Sequence, residues 1–96
     1  MPTFNLLDGQ GGVYGKVTRR NITDNSIQGV KDAVVSIFDG ATLVVSTRTN
    51  DDGIFIFDAI NAPRSYTIEF RKEAVVVADE FTIASKEVKQ INVELS

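Results

Sequence analysis

The 96-residue sequence contains no cysteine and no histidine. Without cysteine there is no disulfide framework, no thiolate metal site and no thiol nucleophile, and redox usage says nothing about the compartment. Without histidine the chain lacks the side chain that most often acts as a general base near neutral pH and most often ligates a metal. Long apolar runs are missing as well. None approaches the ~18 residues of a membrane-spanning helix, so membrane insertion is not expected. Nor is there an excess of basic charge: 10 Lys and Arg stand against 13 Asp and Glu, a net charge of −3. The basic residues are scattered, with Arg19-Arg20 and Arg71-Lys72 as the only adjacent pairs, and binding of nucleic acid is not expected. The opening MPTFNLLDGQGG lacks the basic segment, apolar segment and small-residue cleavage site of a secretory signal. The expectation is a protein used without export, on a virion or in the cytoplasm, or a piece of a longer extracellular chain. Met1-Pro2 favours a natural start.

What is present is a period of two. Apolar residues alternate in short runs separated by Gly, Asn, Asp, Ser and Pro, the pattern of an all-β domain, and no segment reads well as a helix. The length suits one domain. Residues 1–11 read as an N-terminal arm and residues 12–96 as a single β-sandwich domain. Strands are expected at residues 12–18 (GVYGKVT), 33–38 (AVVSIF), 42–49 (TLVVSTRT), 54–57 (IFIF), 65–70 (SYTIEF), within 74–83, with Asp79 as a breaking point, and at 91–95 (INVEL). Asp39-Gly40 is a tight-turn pair of the kind hairpins prefer. In residues 50–53 (NDDG) the Asn and Asp side chains bond the turn's own amides and Gly53 takes a positive φ. Seven short strands at this spacing predict two packed antiparallel sheets. The expected core is Val13, Val17, Val35, Ile37, Phe55, Phe57, Ile60, Tyr66, Ile68, Phe70, Ile91, Val93 and Leu95.

The succession GVYGKV, QGVKDAVVSIFD, STRTNDDGIFIFDAI, APRSYTIEF, INVEL resembles the carboxypeptidase regulatory-like domain, a member of the transthyretin-like (prealbumin-like) β-sandwiches that also include the B-type repeats of collagen adhesins. The resemblance runs from Gly12 to Leu95 and is most specific at residues 49–55 (TNDDGIF) and 63–66 (PRSY). Arg64-Ser65 stands where the family usually has a glycine, which leaves the shape of that turn open. The resemblance implies a seven-stranded antiparallel Greek-key sandwich, immunoglobulin- or transthyretin-like. It also implies an accessory module, a spacer, assembly unit or adhesive surface, rather than an enzyme.

Four chemistries compete with plainer readings. Adhesin repeats often carry an internal isopeptide bond, and Lys16, Asn92 and Glu69 lie on the relevant strands, but strand parity points all three away from the core. Asn50, Asp51 and Asp52 supply too few oxygens for calcium, which takes about six or more. Asn21-Ile22-Thr23 matches a glycosylation acceptor and reads as a loop. Asp39, Asp58, Asp79 and Glu80 near strand ends read as solubilising edge charges rather than as catalytic pairs. No catalytic residue, cofactor or metal is expected.

One stretch departs from simple alternation. In DGIFIFD, residues 52–58, both faces are apolar. With Phe55 and Phe57 inward, Ile54 and Ile56 point outward, and sequence order places them on one hairpin with Val44. Val34 and Phe38 raise the same suspicion on the strand before. Phe4, Leu6 and Leu7 of the arm are available to cover this face in the same chain or in a neighbour. Phe4, Leu6, Leu7, Val34, Val44, Ile54 and Ile56 are therefore the candidate interface. The expected function is a non-catalytic structural or assembly module acting through protein contacts. The partner is a second copy in a homo-oligomer, or a larger particle such as a phage virion on which the chain docks as a decoration protein. The alternative is an adhesive or carbohydrate-binding module, for which Tyr14 is the one outward aromatic in plain view.

Overall fold

A computed structural model describes residues 4–95, so residues 1–3 of the expected arm and Ser96 of the expected domain lie outside the described residues. The described chain is all β. Its strands are β1 (Gln10–Arg20), β2 (Ile27–Gly29), β3 (Val34–Asp39), β4 (Thr42–Arg48), β5 (Ile54–Asn61), β6 (Arg64–Lys72), β7 (Val75–Ile83), β8 (Val88–Gln90) and β9 (Val93–Leu95). Two sheets face each other. Sheet 1 is built on β1, which pairs antiparallel with β5 and β2 along one side and parallel with β8 and β9 along the other. Sheet 2 runs β4-β3-β6-β7, antiparallel throughout.

The sandwich follows from the pleat, which sends alternate side chains to opposite faces. Eleven of the thirteen expected core residues are buried, and Ile91 and Val93 are half-buried against the cluster because they sit on the outermost strand path of sheet 1. Val30, Ala33, Ala62 and Ile83 join the core from positions read as loop or strand end. Phe55 lies between Phe57, 6.0 Å away between ring centroids, and Phe70, met edge-on at 5.6 Å.

Three features differ from the expected pattern. Nine strands replace seven, because the loop RNITDNSIQG contributes β2 and the final strand divides into β8 and β9 around Ile91 and Asn92. Not every pairing is antiparallel: after β7 the chain crosses to sheet 1 through residues 84–87 and lies beside β1 in the same direction. And β7 passes Asp79 unbroken, since on this outer strand the carboxylate stays in solvent and accepts the Glu80 N–H at 2.9 Å.

The turns use local chemistry. Asn50 Oδ1 accepts the N–H groups of Asp52 and Ile54 at 2.9 and 3.0 Å, and Gly53 sits at φ +81° where L side chains are strained. Buried Thr49 ties the crossing together: its hydroxyl accepts the Ala33 N–H at 2.9 Å and donates to the Val30 carbonyl. The turn left open by Arg64-Ser65 has a cis Ala62–Pro63 bond, an Arg64–Asp39 ion pair, and a Tyr66 hydroxyl donating to the Asn61 carbonyl at 2.6 Å. The last contact resembles the tyrosine corner of immunoglobulin-type sandwiches.

Burial pushes the Tyr66 phenol above its ordinary value of 10.0. A phenol raised on folding contributes stability that is complete below the unfolded value and is lost as pH climbs through the folded one. Tyr66→Phe is therefore expected to cost about 1 kcal/mol near neutral pH through the missing hydrogen bond. It should also flatten the loss of stability above about pH 10, read from urea midpoints across the pH range. Equal alkaline slopes in the two proteins would show that Tyr66 is not the group responsible.

Candidate binding surface

The pleat that buries Phe55 and Phe57 turns Ile54 and Ile56 to the outer face of sheet 1, where they are 39% and 42% exposed. Register then selects their neighbours. Ile56 is opposite Tyr14 and Ile54 opposite Lys16 on β1, while Gln90 of β8 flanks Tyr14 on its other side. Asn92 completes the rim, its Oδ1 accepting the Lys16 main-chain N–H at 3.0 Å, and the Ile91 N–H donates to the Tyr14 carbonyl at 2.9 Å. The result is a shallow, mainly apolar groove of about 290 Å³ floored by Tyr14, Gly15, Ile54 and Ile56 and rimmed by Lys16, Gln90 and Asn92.

The arm lies at one end of this face. The Phe4 ring sits over Gly12, where a Cβ would meet ring carbons at 2.4 and 2.6 Å, and its centroid is 6.1 Å from that of Tyr14. Two reciprocal bonds shape the arm: the Leu7 N–H donates to Gln10 Oε1 and the Gln10 N–H to the Leu7 carbonyl, both at 3.1 Å. The Gly9 N–H donates to Ser85 Oγ at 2.9 Å, and the Ala62 N–H to the Gly9 carbonyl at the same distance. Phe4 thus covers its own sheet at Gly12 and Tyr14 but not at Ile54 and Ile56. Leu6 is half-buried and Leu7 is 69% exposed.

The seven candidate interface residues do not form one patch. Phe4, Ile54 and Ile56 share the outer face of sheet 1, and Leu6 and Leu7 belong to the arm beside it. Val34 and Val44 lie on sheet 2: half-buried Val34 on β3 between Arg48 and Arg71, and exposed Val44 on β4 at an irregularity in the β3–β4 ladder. The expectation that Val44 neighbours Ile54 and Ile56 on a hairpin is corrected here. Residues 49–53 carry the chain from one sheet to the other, so β4 and β5 never pair. Phe38 also belongs to sheet 2, opposite Leu43 and Thr67. Tyr14, Lys16, Gln90 and Asn92 were missed as members of the surface. Parity at Val13 and Val17 signals that Tyr14 and Lys16 point outward, but nothing local signals that β1 lies beside β5 and β8.

The other candidate chemistries separate likewise. Lys16 and Asn92 are neighbours through a main-chain amide on the outside of sheet 1, whereas Glu69 is on the outside of sheet 2, with the whole sandwich between. Asn50 spends its side-chain oxygen on turn amides. Asn21 Oδ1 accepts the Thr23 N–H at 2.9 Å in an exposed turn. Among the described residues no group of three or more Asp or Glu is placed to hold a metal ion.

No protein-family model matches the chain. No curated protein matches it in sequence. Solved structures do. The Bacillus anthracis TIE protein aligns with a TM-score of 0.66 and 21% identity over 91% of this chain, which spans only 16% of that one. The 5-hydroxyisourate hydrolase of Klebsiella pneumoniae aligns with a TM-score of 0.57 and 16% identity, covering 96% of this chain and 94% of that one. At such identities the likeness speaks for the backbone and not for an activity, and with the two sheets described above it shows that this chain has a transthyretin-like β-sandwich fold.

Proposed function

We propose that the chain is a non-catalytic binding module that works through protein contacts on the outer face of sheet 1. The observation that carries this reading is the groove itself: two isoleucines about two-fifths exposed and side by side with Tyr14, next to an arm whose described residues cover the face at Gly12. Apolar side chains grouped on a sheet face mark a contact site, whereas scattered ones do not. A chain without histidine or cysteine, in which no three acidic side chains of the described residues cluster, offers little for acid–base or nucleophilic catalysis. The length match to a segment of a much larger protein fits a module that is used within, or docks on, a bigger assembly. An accessory protein of a particle such as a virion is one setting of that kind.

The second reading, a carbohydrate-binding surface, draws on a specific feature. Tyr14 and Phe4 form an aromatic pair beside the amides of Gln90 and Asn92, the combination of flat apolar surface and hydrogen-bonding rim that sugars use.

The test is the double variant Ile54→Lys/Ile56→Lys. Each side chain keeps about two-fifths of its exposure, so each change should cost about 1 kcal/mol or less and the double variant should stay folded, its melting temperature falling by no more than about 10 °C. Proteins captured specifically from the native source by wild type should be lost from the variant. An unchanged set of captured proteins sinks the proposal, and retained binding on a glycan array with loss in Tyr14→Ala moves the reading to carbohydrate.

A further inference from the structure

The β1–β2 hairpin runs past the end of the core. Among the described strands β2 pairs with β1 alone. On β1 the inward positions alternate: Val13 and Val17 are fully buried, whereas Arg19, the next position in that alternation, is half-buried. Register sets Gln28 of β2 beside Arg19 on the same side. A cavity of about 460 Å³ opens here, lined by Arg19, Gln28 and buried Val30, with Ile22 at its lip. That volume falls in the range of ~300–1,000 Å³ typical of small-molecule sites.

Two groups at this cavity have nothing to contact. Arg20, Arg64 and Arg71 each pair with a carboxylate, and Arg48 is exposed and hydrated. The Arg19 guanidinium, half-buried, has neither an ion pair nor a side-chain hydrogen bond among the described residues. Alternation explains why: Arg20 points to the outer face, where Glu94 meets it at 3.2 Å, and Arg19 points the other way. The second group is Ile22, 97% exposed, an apolar side chain that folding leaves wholly in water.

The walls are held in place without a ligand. At the hairpin tip the Asn21 N–H donates to the Ser26 carbonyl at 2.7 Å, Arg20 Nη1 donates to Asn25 Oδ1 at 3.2 Å, and the Asp24 carboxylate accepts the Ser26 N–H at 3.0 Å. At its base Gly29 is seated against the 50–53 turn, where a Cβ would lie 2.1 Å from the Asp52 carbonyl oxygen.

We propose that this cavity binds a small organic monocarboxylate with an apolar body, the carboxylate on Arg19 and the body against Val30 and Ile22. A planar guanidinium fork matches a carboxylate through two parallel hydrogen bonds, and the match is stronger where water is partly excluded. Arg19 brings one positive charge, which one carboxylate neutralises. A phosphate dianion would keep half its charge uncompensated beside apolar walls. Gln28 supplies a neutral amide next to the same carboxylate, and covering Ile22 gives the apolar body its share of the affinity. The site lies on the inward side of β1 and does not rest on the groove across the outer face of sheet 1.

Sodium hexanoate is the probe, titrated to about 50 mM at constant ionic strength and followed through backbone amide shifts by NMR, a range that brackets the Kd on the order of 1 mM expected of so small a ligand. Saturable shifts should centre on residues 19–22 and 28–30. Arg19→Gln should weaken binding at least about tenfold, the loss of a charge-assisted hydrogen bond. Ile22→Ser alters a side chain that packs on nothing, so it should stay folded and bind about threefold more weakly. Hexanol and inorganic phosphate, each lacking one half of the recognised chemistry, should both bind at least about tenfold more weakly than hexanoate. Ile54→Lys/Ile56→Lys should bind hexanoate like wild type. No saturable shift by 50 mM overturns the proposal, as do shifts centred on the outer face of sheet 1. Hexanol or phosphate matching hexanoate overturns it too, and so does undiminished binding in a folded Arg19→Gln. Should Arg19→Gln fail to fold, Ile22→Ser and the comparison of probes decide alone.

Discussion

Gly15→Val is expected to cost about 4 kcal/mol or more, a large share of the total stability of about 5–15 kcal/mol for such domains. A Cβ built at Gly15 would lie 1.6 Å from the Ile91 carbonyl oxygen, 2.6 Å from its carbon and 2.9 Å from Phe55 Cζ. A side chain can swing away from such a clash; the first two atoms are main chain and cannot. Relief requires the β8–β9 tail to leave β1, breaking the Ile91 to Tyr14 and Asn92 to Lys16 bonds and withdrawing Leu95, fully buried, from the core. Overpacking a core with room to adjust usually costs ~1–3 kcal/mol, and this site has none. Gly40→Ala is the matched control. It too is a glycine in a β protein, at φ +63°, but nothing lies within 4 Å of its Cβ position. Only the left-handed backbone is strained, by about 1 kcal/mol. Urea midpoints followed by far-UV circular dichroism measure both. A Gly15→Val protein as stable as Gly40→Ala would mean that the tail does not lie against β1.

Phe55→Ala is expected to cost about 4 kcal/mol, within the ~3–5 kcal/mol typical of a buried aromatic cut to alanine. The ring is 2% exposed and touches both sheets, through Phe57 on its own strand and Phe70 across the sandwich. Both rings would lose a packing face, and the Gly15 backbone beneath would lose its cover. One residue along, Ile56→Ala should cost about 1 kcal/mol or less, since its side chain keeps two-fifths of its exposure in the folded chain. The contrast between neighbours in DGIFIFD is the sensitive readout. Should Ile56→Ala prove as costly as Phe55→Ala in dilute protein, the outer face of sheet 1 is covered in solution.

Much of this was legible in the chain itself. Phe55 and Phe57 inward against Ile54 and Ile56 outward follows from alternation alone, as does Tyr66, Ile68 and Phe70 against Thr67 and Glu69. Asn50 and Gly53 announced their turn, because a side-chain amide reaching its own backbone and a positive φ are properties of a few adjacent residues. The parity that turned Lys16, Asn92 and Glu69 away from the core held for the same reason.

What failed to show was partnership. Val44 stands shortly before DGIFIFD in sequence, yet residues 49–53 carry the chain across the sandwich and leave the two on opposite sheets. Gln90 and Asn92 look like ordinary polar residues near a terminus, and they rim the groove only because the tail runs parallel to β1. The edge at residues 74–78 reads in sequence as another half-buried strand; that no described strand pairs beyond it is a property of the sheet order.

The sequence by itself determined the all-β class, the strand faces, the turns and most of the core, because each rests on the fixed geometry of a few consecutive residues. The tertiary structure alone decided which faces adjoin, where the arm lands and which edge is left open, because strand pairing joins residues some 40 to 80 positions apart, as at Tyr14 with Ile56 and Gln90. Their alternation is equally compatible with several neighbours, and only the packing of the whole chain chooses among them.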